Sequence, residues 1–303
     1  MNMLIGVKIE LFRLVINMDE NVFEIGESTF EVLTWPSHIE SVRKLLPLSK
    51  DHPEVNVSII LSLAAAVEGF LKGAIVETDR LLMATLKESS RPNIDKRIRE
   101  EFINRAAKAN WSQTMENYRL FFGVSLEEHA IPLQSINSYS SLMENQKKTL
   151  SQQYFLPIKN LFNLRNIIAH GQQIELYESL IVKVLDDGLT ESEEKLEFAT
   201  KSELGSYLGS NKLLMSSESK PTDQSILYSY EIVEHFKIAV AEFFNVLTGK
   251  IFLYLRHQEN IDLNLLIMNS SLPNYIEGSR LHKLLFATDN CFDLNKNWVY
   301  SYE

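Results

Sequence analysis

The sequence predicts a mainly α-helical protein whose core is an antiparallel bundle of helices. Three segments carry this prediction, because residues 57–76, 154–170 and 225–256 repeat apolar side chains at helical spacing. Hydrophobic residues make up 45% of the 303 residues, which is enough for a sizeable core. Segments with alternating polarity predict two β additions: a small element near the start of the chain and a small β-hairpin insertion after residue 171.

The segment 57–76 is apolar on nearly every side, so we expect it to form a central helix. Glu68 interrupts one of its apolar stripes, and a buried carboxylate needs a partner. Two interpretations stay open. Glu68 makes an ordinary structural salt bridge or hydrogen bond, or it holds Arg165 in place. The other apolar stripe, which Glu68 does not interrupt, consists of Ile60, Leu63, Val67, Phe70 and Ala74.

The segment 94–122 predicts a further helix, with Ser112 as a cap midway along it. Glu100 and Glu101 lie among its basic residues, which favours an ordinary solvated face. The alternative is a strip that contacts RNA phosphates. The basic residues are Lys96, Arg97, Arg99, Arg105 and Lys108.

The long apolar pattern of residues 225–256 indicates a core helix, which Lys250 and other charges interrupt. Glu231, Glu234 and His235 have the spacing of metal ligands, but no second cluster accompanies them. We therefore expect neither a metal ion nor another cofactor.

Residues 161–171 contain the one closely spaced pair that indicates chemistry, Arg165 and His170. We expect Phe155, Ile158, Phe162 and Ala169 to share one apolar stripe of this helix, and Gly171 to end it with a left-handed cap. Asn166 and His170 are four residues apart and share a face. Arg165 and His170 are five apart, roughly 140° around the helix. Either the long arginine bends towards the histidine, or a two-fold dimer brings two pairs together.

An arginine, a polar residue and a histidine after four intervening positions resemble the motif of the HEPN (higher eukaryotes and prokaryotes nucleotide-binding) superfamily. The resemblance covers about residues 53–256 in outline and residues 165–171 in motif. It implies a HEPN-like helical bundle, a metal-independent endoribonuclease of the toxin or defence type, and a homodimer in which two motif helices form one cleft. It also implies an antitoxin or regulatory protein as a partner, and a polar residue such as Glu68 facing the motif helix.

The chemistry of RNA cleavage suits these side chains, because RNA carries its own nucleophile in the 2′-hydroxyl. We expect His170 to act as general acid or general base and Arg165 to stabilise the phosphorane. Asn166 orients His170 or donates to a phosphate oxygen. The product would carry a 2′,3′-cyclic phosphate. The alternative is a catalytically inactive binding or scaffold module that acts through protein or nucleotide contacts, with Arg165 in a closed ion pair.

Composition limits the remaining possibilities. A net charge of −10 disfavours general coating of nucleic acid, although it allows a local basic cleft. The single cysteine, Cys291, excludes an intramolecular disulfide. No apolar segment predicts a signal peptide or a membrane span, so we expect a cytoplasmic protein without membrane contact.

The predicted organisation has three parts. Residues 1–52 form an N-terminal β/α extension, in which residues 7–11, 22–25 and 29–35 are candidate strands. Residues 53–260 form the helical bundle, with the hairpin insertion at about 172–210. Residues 261–303 form a C-terminal extension.

Overall fold

The structure is a computed structural model. It describes residues 15–16, 23–24, 35–85, 96–132, 144–172, 176–184, 190–198, 202–214, 227–258, 280–288 and 290–295. The strands are β1 (Val15–Ile16), β2 (Phe23–Glu24), β3 (Leu176–Val184) and β4 (Thr190–Phe198). The helices are α1 (Trp35–Leu45), α2 (Asn56–Thr85), α3 (Lys96–Lys108), α4 (Trp111–Phe122), α5 (Leu126–His129), α6 (Glu144–Tyr154), α7 (Leu156–His170), α8 (Glu203–Ser210), α9 (Tyr230–Gln258) and α10 (Arg280–Phe286).

Helix α2 is the centre of the molecule, which confirms the prediction of a mainly helical fold. It contacts α1, α3, α4, α7, α9 and α10. All five members of its predicted stripe, from Ile60 to Ala74, are fully buried. Phe70 of α2 lies against Phe244 of α9, with 4.9 Å between the ring centroids. The two long apolar helices therefore bury their side chains against each other, as the hydrophobic effect requires.

Helices α1 and α10 both pack closely on α2, and a glycine of α2 makes each approach possible. A Cβ atom on Gly69 would stand 2.5 Å from Cβ of Trp35, and one on Gly73 would stand 2.8 Å from Leu284 of α10. Trp35 is the first residue of α1 and is buried, so the prediction of a strand over residues 29–35 is wrong at its end. The indole packs on Phe70 and Phe244, which favours the helical position over an extended one.

The last described segment is tied to α1 and α2. Arg43 Nη1 donates to the carbonyl oxygens of Cys291 and Asp293, at 2.8 and 3.0 Å. The buried carboxylate of Glu77 pairs with Arg80 at 2.9 Å and with Arg280 at 3.5 Å. These contacts attach α10 to the bundle.

The predicted helix over residues 94–122 is two helices in the structure. The break falls at Asn110, whose side chain accepts a hydrogen bond from the Gln113 N–H while Gln113 accepts from the Asn110 N–H. This reciprocal capping box makes Asn110 the start of α4, in place of the predicted cap Ser112.

The described strands form two antiparallel pairs. Val15 faces Glu24 and Ile16 faces Phe23 in the first pair. In the second pair, β3 and β4 run in register from Leu176↔Phe198 to Val184↔Thr190. The candidate strand at residues 7–11 lies outside the described residues, and the predicted limits of the three parts of the chain stay predictions.

Within the described residues, the segments 53–84 and 230–257 are long and apolar enough to cross a membrane by length and composition alone. Core helices of a bundle pass the same test, and α2 and α9 are core helices here.

Candidate functional site at the end of helix α7

The first half of α7 is anchored in the core. Pro157 stands in the first turn, where a missing N–H is tolerated. Phe162 is 1% exposed and stacks on Trp111 of α4, with ring centroids 3.5 Å apart and planes 10° from parallel. Lys159 pairs with Glu203 of α8 at 2.7 Å. Contacts with α4 and α8 therefore hold the first half of α7 in place.

The second half of α7 leaves the core and reaches solvent. Leu164 is fully buried, Arg165 and Asn166 are half-buried, and Ala169 and His170 are exposed. The prediction that Ala169 continues the apolar stripe is wrong, because the helix emerges from the bundle before that turn. The motif thus lies where a fixed helix meets water.

Gly171 ends α7 as predicted. It takes φ 57° and ψ 37°, a left-handed conformation that glycine adopts without a Cβ clash. Its N–H donates to the Ile168 carbonyl at 3.3 Å, and the Gln172 N–H donates to the Ile167 carbonyl at 3.0 Å. This pair of bonds is a Schellman cap, which satisfies two carbonyls of the last turn. The position of His170 in that turn is therefore fixed by the backbone.

The Arg165 guanidinium leans towards the face that carries His170. Its Nη1 donates to Oδ1 of Asn166 at 2.9 Å. Asn166 lies about 100° around the helix from Arg165, and His170 lies only about 40° further on. The sequence left open whether the arginine bends towards the histidine or a dimer brings two pairs together. The hydrogen bond places the guanidinium beside Asn166, and both alternatives stay predictions. Asn166 bonds Arg165 in this structure rather than His170.

The imidazole of His170 is free to act on a bound molecule. No described residue hydrogen-bonds its side chain, and the residue is exposed. Arg165 keeps its remaining N–H donors, and the amide nitrogen of Asn166 keeps its own. A cation, an amide donor and a proton-transfer group therefore share one side of the helix end.

Glu68 does not hold Arg165 in this structure. Its carboxylate accepts a hydrogen bond from Lys72 Nζ at 2.7 Å, one helical turn along α2. Residues four apart on a helix face each other, so Lys72 reaches Glu68 without any change in packing. This contact agrees with the interpretation of Glu68 as an ordinary salt bridge. No contact between Glu68 and Arg165 supports the other interpretation among the described residues.

The other candidate residues are engaged elsewhere. Arg99, one of the basic residues of α3, forms a two-pronged ion pair with Asp79 of α2. Glu234 pairs with Lys237, and the His235 ring meets the Tyr207 hydroxyl. Among the described residues no three His, Cys, Asp or Glu side chains group as metal ligands.

A second polar cluster was not predicted from the sequence. The Tyr118 hydroxyl of α4 lies 2.8 Å from the His129 ring of α5. The charge of Lys250 on α9 is near enough to lower the pKa of His129. A local signal did exist: Lys250 follows Phe243 by seven residues and therefore falls on the buried stripe of α9. Lysines are rarely buried, so a lysine on a buried stripe is a signal worth noting in the sequence.

One comparison with known proteins gives a match. A family model described as RiboL-PSP-HEPN matches residues 37–199, which is more than half of the chain and includes α7 and the Arg165–His170 motif. No curated protein and no solved structure matches the chain.

Proposed function

Because this chain belongs to the RiboL-PSP-HEPN family of the HEPN superfamily, we propose that it is a metal-independent endoribonuclease. One observation carries the proposal: the Arg165 guanidinium is held by Asn166 on the side of α7 that ends in an exposed His170. Membership of the family supports ribonuclease-like or nucleotide-binding functions in general, and the geometry of the motif favours cleavage among them.

The reaction needs only groups that this helix end carries. The 2′-oxygen of the substrate attacks the adjacent phosphorus as its proton leaves, and the bond to the 5′-oxygen of the next nucleotide breaks as that oxygen gains a proton. His170 transfers one of these protons, since imidazole gains and loses a proton near neutral pH. Arg165 stabilises the charge on the phosphorane oxygens through its planar fork. The products are a 2′,3′-cyclic phosphate and a free 5′-hydroxyl.

A homodimer would complete the site. Arg165 and His170 are about 7.5 Å apart along the helix axis, so one copy presents them as a spread-out pair. Two copies whose exposed helix ends meet would surround one phosphodiester with two arginines and two histidines. We further propose a toxin or defence role in the cytoplasm, with an antitoxin or regulatory protein that covers the helix end.

A second function, an inactive binding module, is favoured by one observation. Arg165 is half-buried and bonded within its own helix, which also suits a structural role. In that case Arg165→Ala lowers stability or partner binding, and no RNA is turned over by the wild type.

The experiment compares wild type, His170→Ala and Arg165→Ala on labelled RNAs, including tRNA, in the presence of EDTA. We expect the wild type to cleave and His170→Ala to lose about 100-fold or more of the rate. His257→Ala is the matched control, because His257 is also an exposed histidine in the last turn of a long helix. Mass spectrometry of the fragments should show cyclic phosphate ends. Inertness of the wild type on all RNAs, or equal cleavage by His170→Ala, would overturn the proposal.

A further inference from the structure

A row of polar side chains runs along α7 from the core to His170. Asn163 precedes His170 by seven residues, so the two lie about 20° apart around the helix and about 10 Å apart along it. Asn166 lies between them on the same side. Asn160, one turn before Asn163, is fully buried. The row therefore starts in the core and ends at the exposed imidazole.

The buried amide of Asn160 fixes the orientation of the Asn163 amide. Nδ2 of Asn160 donates to the Leu156 carbonyl oxygen at 3.0 Å, which leaves its Oδ1 as an acceptor. Nδ2 of Asn163 donates to that oxygen at 3.4 Å. Because a carboxamide has one nitrogen end and one oxygen end, Oδ1 of Asn163 turns away from Asn160.

The Asn163 amide keeps an acceptor and a donor for a ligand. No described residue donates to its Oδ1, and that oxygen is not sealed from solvent. One N–H of its Nδ2 bonds Asn160, and the other N–H stays unused. Asn163 is half-buried, so its amide has the support of the helix and still reaches solvent. It thus presents a donor and an acceptor side by side, in one row with His170.

Helix α8 limits this row at its far end. Lys159, one turn before Asn163 on the same face, pairs with Glu203 of α8 at 2.7 Å. The side of α7 that stays open to a ligand therefore runs from Asn163 to His170. A bound RNA that places a phosphodiester at His170 can extend along α7 as far as Asn163.

We propose that Asn163 is a specificity-determining residue, which hydrogen-bonds to the base of a nucleotide beside the phosphodiester that Arg165 and His170 engage. The inference rests on the proposed ribonuclease function and adds the recognition of one base to it. Phosphate contacts position a nucleic acid, whereas contacts to base edges select its sequence. Arg165 and Asn163 divide these two tasks along one helix.

The amide of Asn163 favours adenine in an unpaired segment of RNA. A carboxamide offers an acceptor and a donor side by side, which match the N6 amino group and N7 of adenine in a bidentate contact. Proteins read such edges on bases that are splayed out of single-stranded RNA. An asparagine held in a fixed orientation pays less entropy for this contact than a freely rotating one.

The test uses short unstructured labelled RNAs that differ in one base at each position beside the cut. We measure kcat/KM for the wild type, Asn163→Leu and Asn163→Asp. Asn163→Leu keeps the approximate size without donors or acceptors, and Asn163→Asp keeps the shape with acceptors alone. Asn245→Leu is the matched control, because Asn245 is an exposed asparagine within the long helix α9. Thermal melts establish which variants are folded, and Asn163→Asp decides the question if Asn163→Leu does not fold.

We expect the wild type to prefer adenine at one position beside the cut, roughly 5-fold to 100-fold over the other bases. Asn163→Leu should remove the preference at that position and leave other positions unchanged. Asn163→Asp should change the preferred base there, because a carboxylate cannot donate to N7. Asn245→Leu should keep the pattern of the wild type. A preference for another base, lost in Asn163→Leu, would support the contact and assign that base to it.

Two results would overturn the proposal while the ribonuclease function stands. The wild type cleaves RNA without a base preference at any position beside the cut, or folded variants of Asn163 keep the preference unchanged. In either case Asn163 only bonds Asn160 within its own helix.

Binding separates this inference from the proposed function. If the wild type cleaves no RNA, the same sequences with 2′-O-methyl groups are titrated by calorimetry. A base preference in binding that Asn163→Leu removes would support Asn163 as a base contact in a module without catalysis. Equal binding of all sequences, or no binding, would overturn the proposal together with the ribonuclease function.

Discussion

The end of α7 and the junction of α5 with α9 each carry a cation and a histidine, in opposite environments. At the end of α7, Arg165 is half-buried and bonded to the next residue, and His170 is exposed. At the junction, Lys250 is buried and pairs with no described residue, and the Tyr118 hydroxyl lies 2.8 Å from the His129 ring. The histidine is therefore exposed in one region and half-buried in the other, and the cation is half-buried in one and buried in the other.

The difference shows what each region can contribute. An exposed imidazole on a fixed helix can exchange protons with a bound substrate, so its removal should change chemistry more than stability. An enclosed ammonium and a neutral imidazole add to the pH dependence of folding, because burial shifts their pKa values away from those of the unfolded chain. The following changes separate the two behaviours.

The largest effect on stability should come from the anchored half of α7. Phe162→Ala removes a ring that is 1% exposed and stacked on Trp111, so we expect the free energy of unfolding to fall by about 3–5 kcal/mol. His170→Ala, about two turns beyond Phe162 on the same helix, should change it by about 0.5 kcal/mol or less. Urea denaturation measures both. Similar losses for the two variants would show that the exposed end of α7 matters for stability as much as its anchored half does.

Arg165→Lys tests the planar fork rather than the charge. Lysine cannot bind two phosphate oxygens side by side, so we expect kcat/KM for RNA to fall about tenfold or more while the melting temperature changes little. Arg119→Lys, an exposed arginine paired with Glu116, is the control. An unchanged rate for Arg165→Lys would show that Arg165 acts through its charge alone and not through the geometry of its guanidinium.

Acid should destabilise the protein through His129. Its pKa is about 4 in the folded state, below the 6.5 of a free histidine, so the unfolded state binds more protons between these values. The contribution of this group to the free energy of unfolding is complete above about pH 6.5 and is lost as the pH falls to about 4. We expect the loss to be about 1–2 kcal/mol, because the ring is partly exposed and solvent screens it. His129→Asn should flatten this part of the curve measured by denaturation at several pH values. If the stability of His129→Asn falls with pH in parallel with that of the wild type, His129 is not the group that destabilises the protein in acid.

Lys250→Met should give the smallest change, a stabilisation of about 1 kcal/mol near neutral pH, because burial disfavours the charged form of Lys250 and no described residue pairs with it. The pKa of Lys250 is about 8 in the folded state and 10.5 in the free side chain, so wild-type stability should rise as the pH increases from about 8 to 10.5. The variant should lack that rise. Denaturation at several pH values measures both, and Lys237→Met, on the same helix, serves as the control.

The sequence predicted those features whose causes are local. The stripe of α2 follows from helical spacing, and the cap at Gly171 follows from the backbone that only glycine adopts cheaply. Of the two interpretations left open for Glu68, the ordinary salt bridge agrees with its contact to Lys72, four residues on. The break between α3 and α4 was placed at Ser112 instead of Asn110, because both residues are good caps and packing decides between them.

The cluster around Lys250 could not be predicted in the same way. His129 and Lys250 lie on different helices, far apart in sequence, and only the docking of α5 on α9 makes them neighbours. Sequence spacing shows that Lys250 faces the core, but it does not show what Lys250 meets there. The direction of the Arg165 side chain also depended on a contact, the hydrogen bond to Asn166, which spacing alone left open.

Gly73 of α2 leaves room for Leu284, and Glu77, one turn further along, is held by Arg280 from the same side. A fragment that stops at residue 199, where the family match ends, would lack α9 and α10 and leave this surface uncovered. We therefore expect that the portion matched by the family model does not fold on its own in this protein. We expect such a truncation to aggregate, and any minimal active fragment to require the helices that the family model does not include.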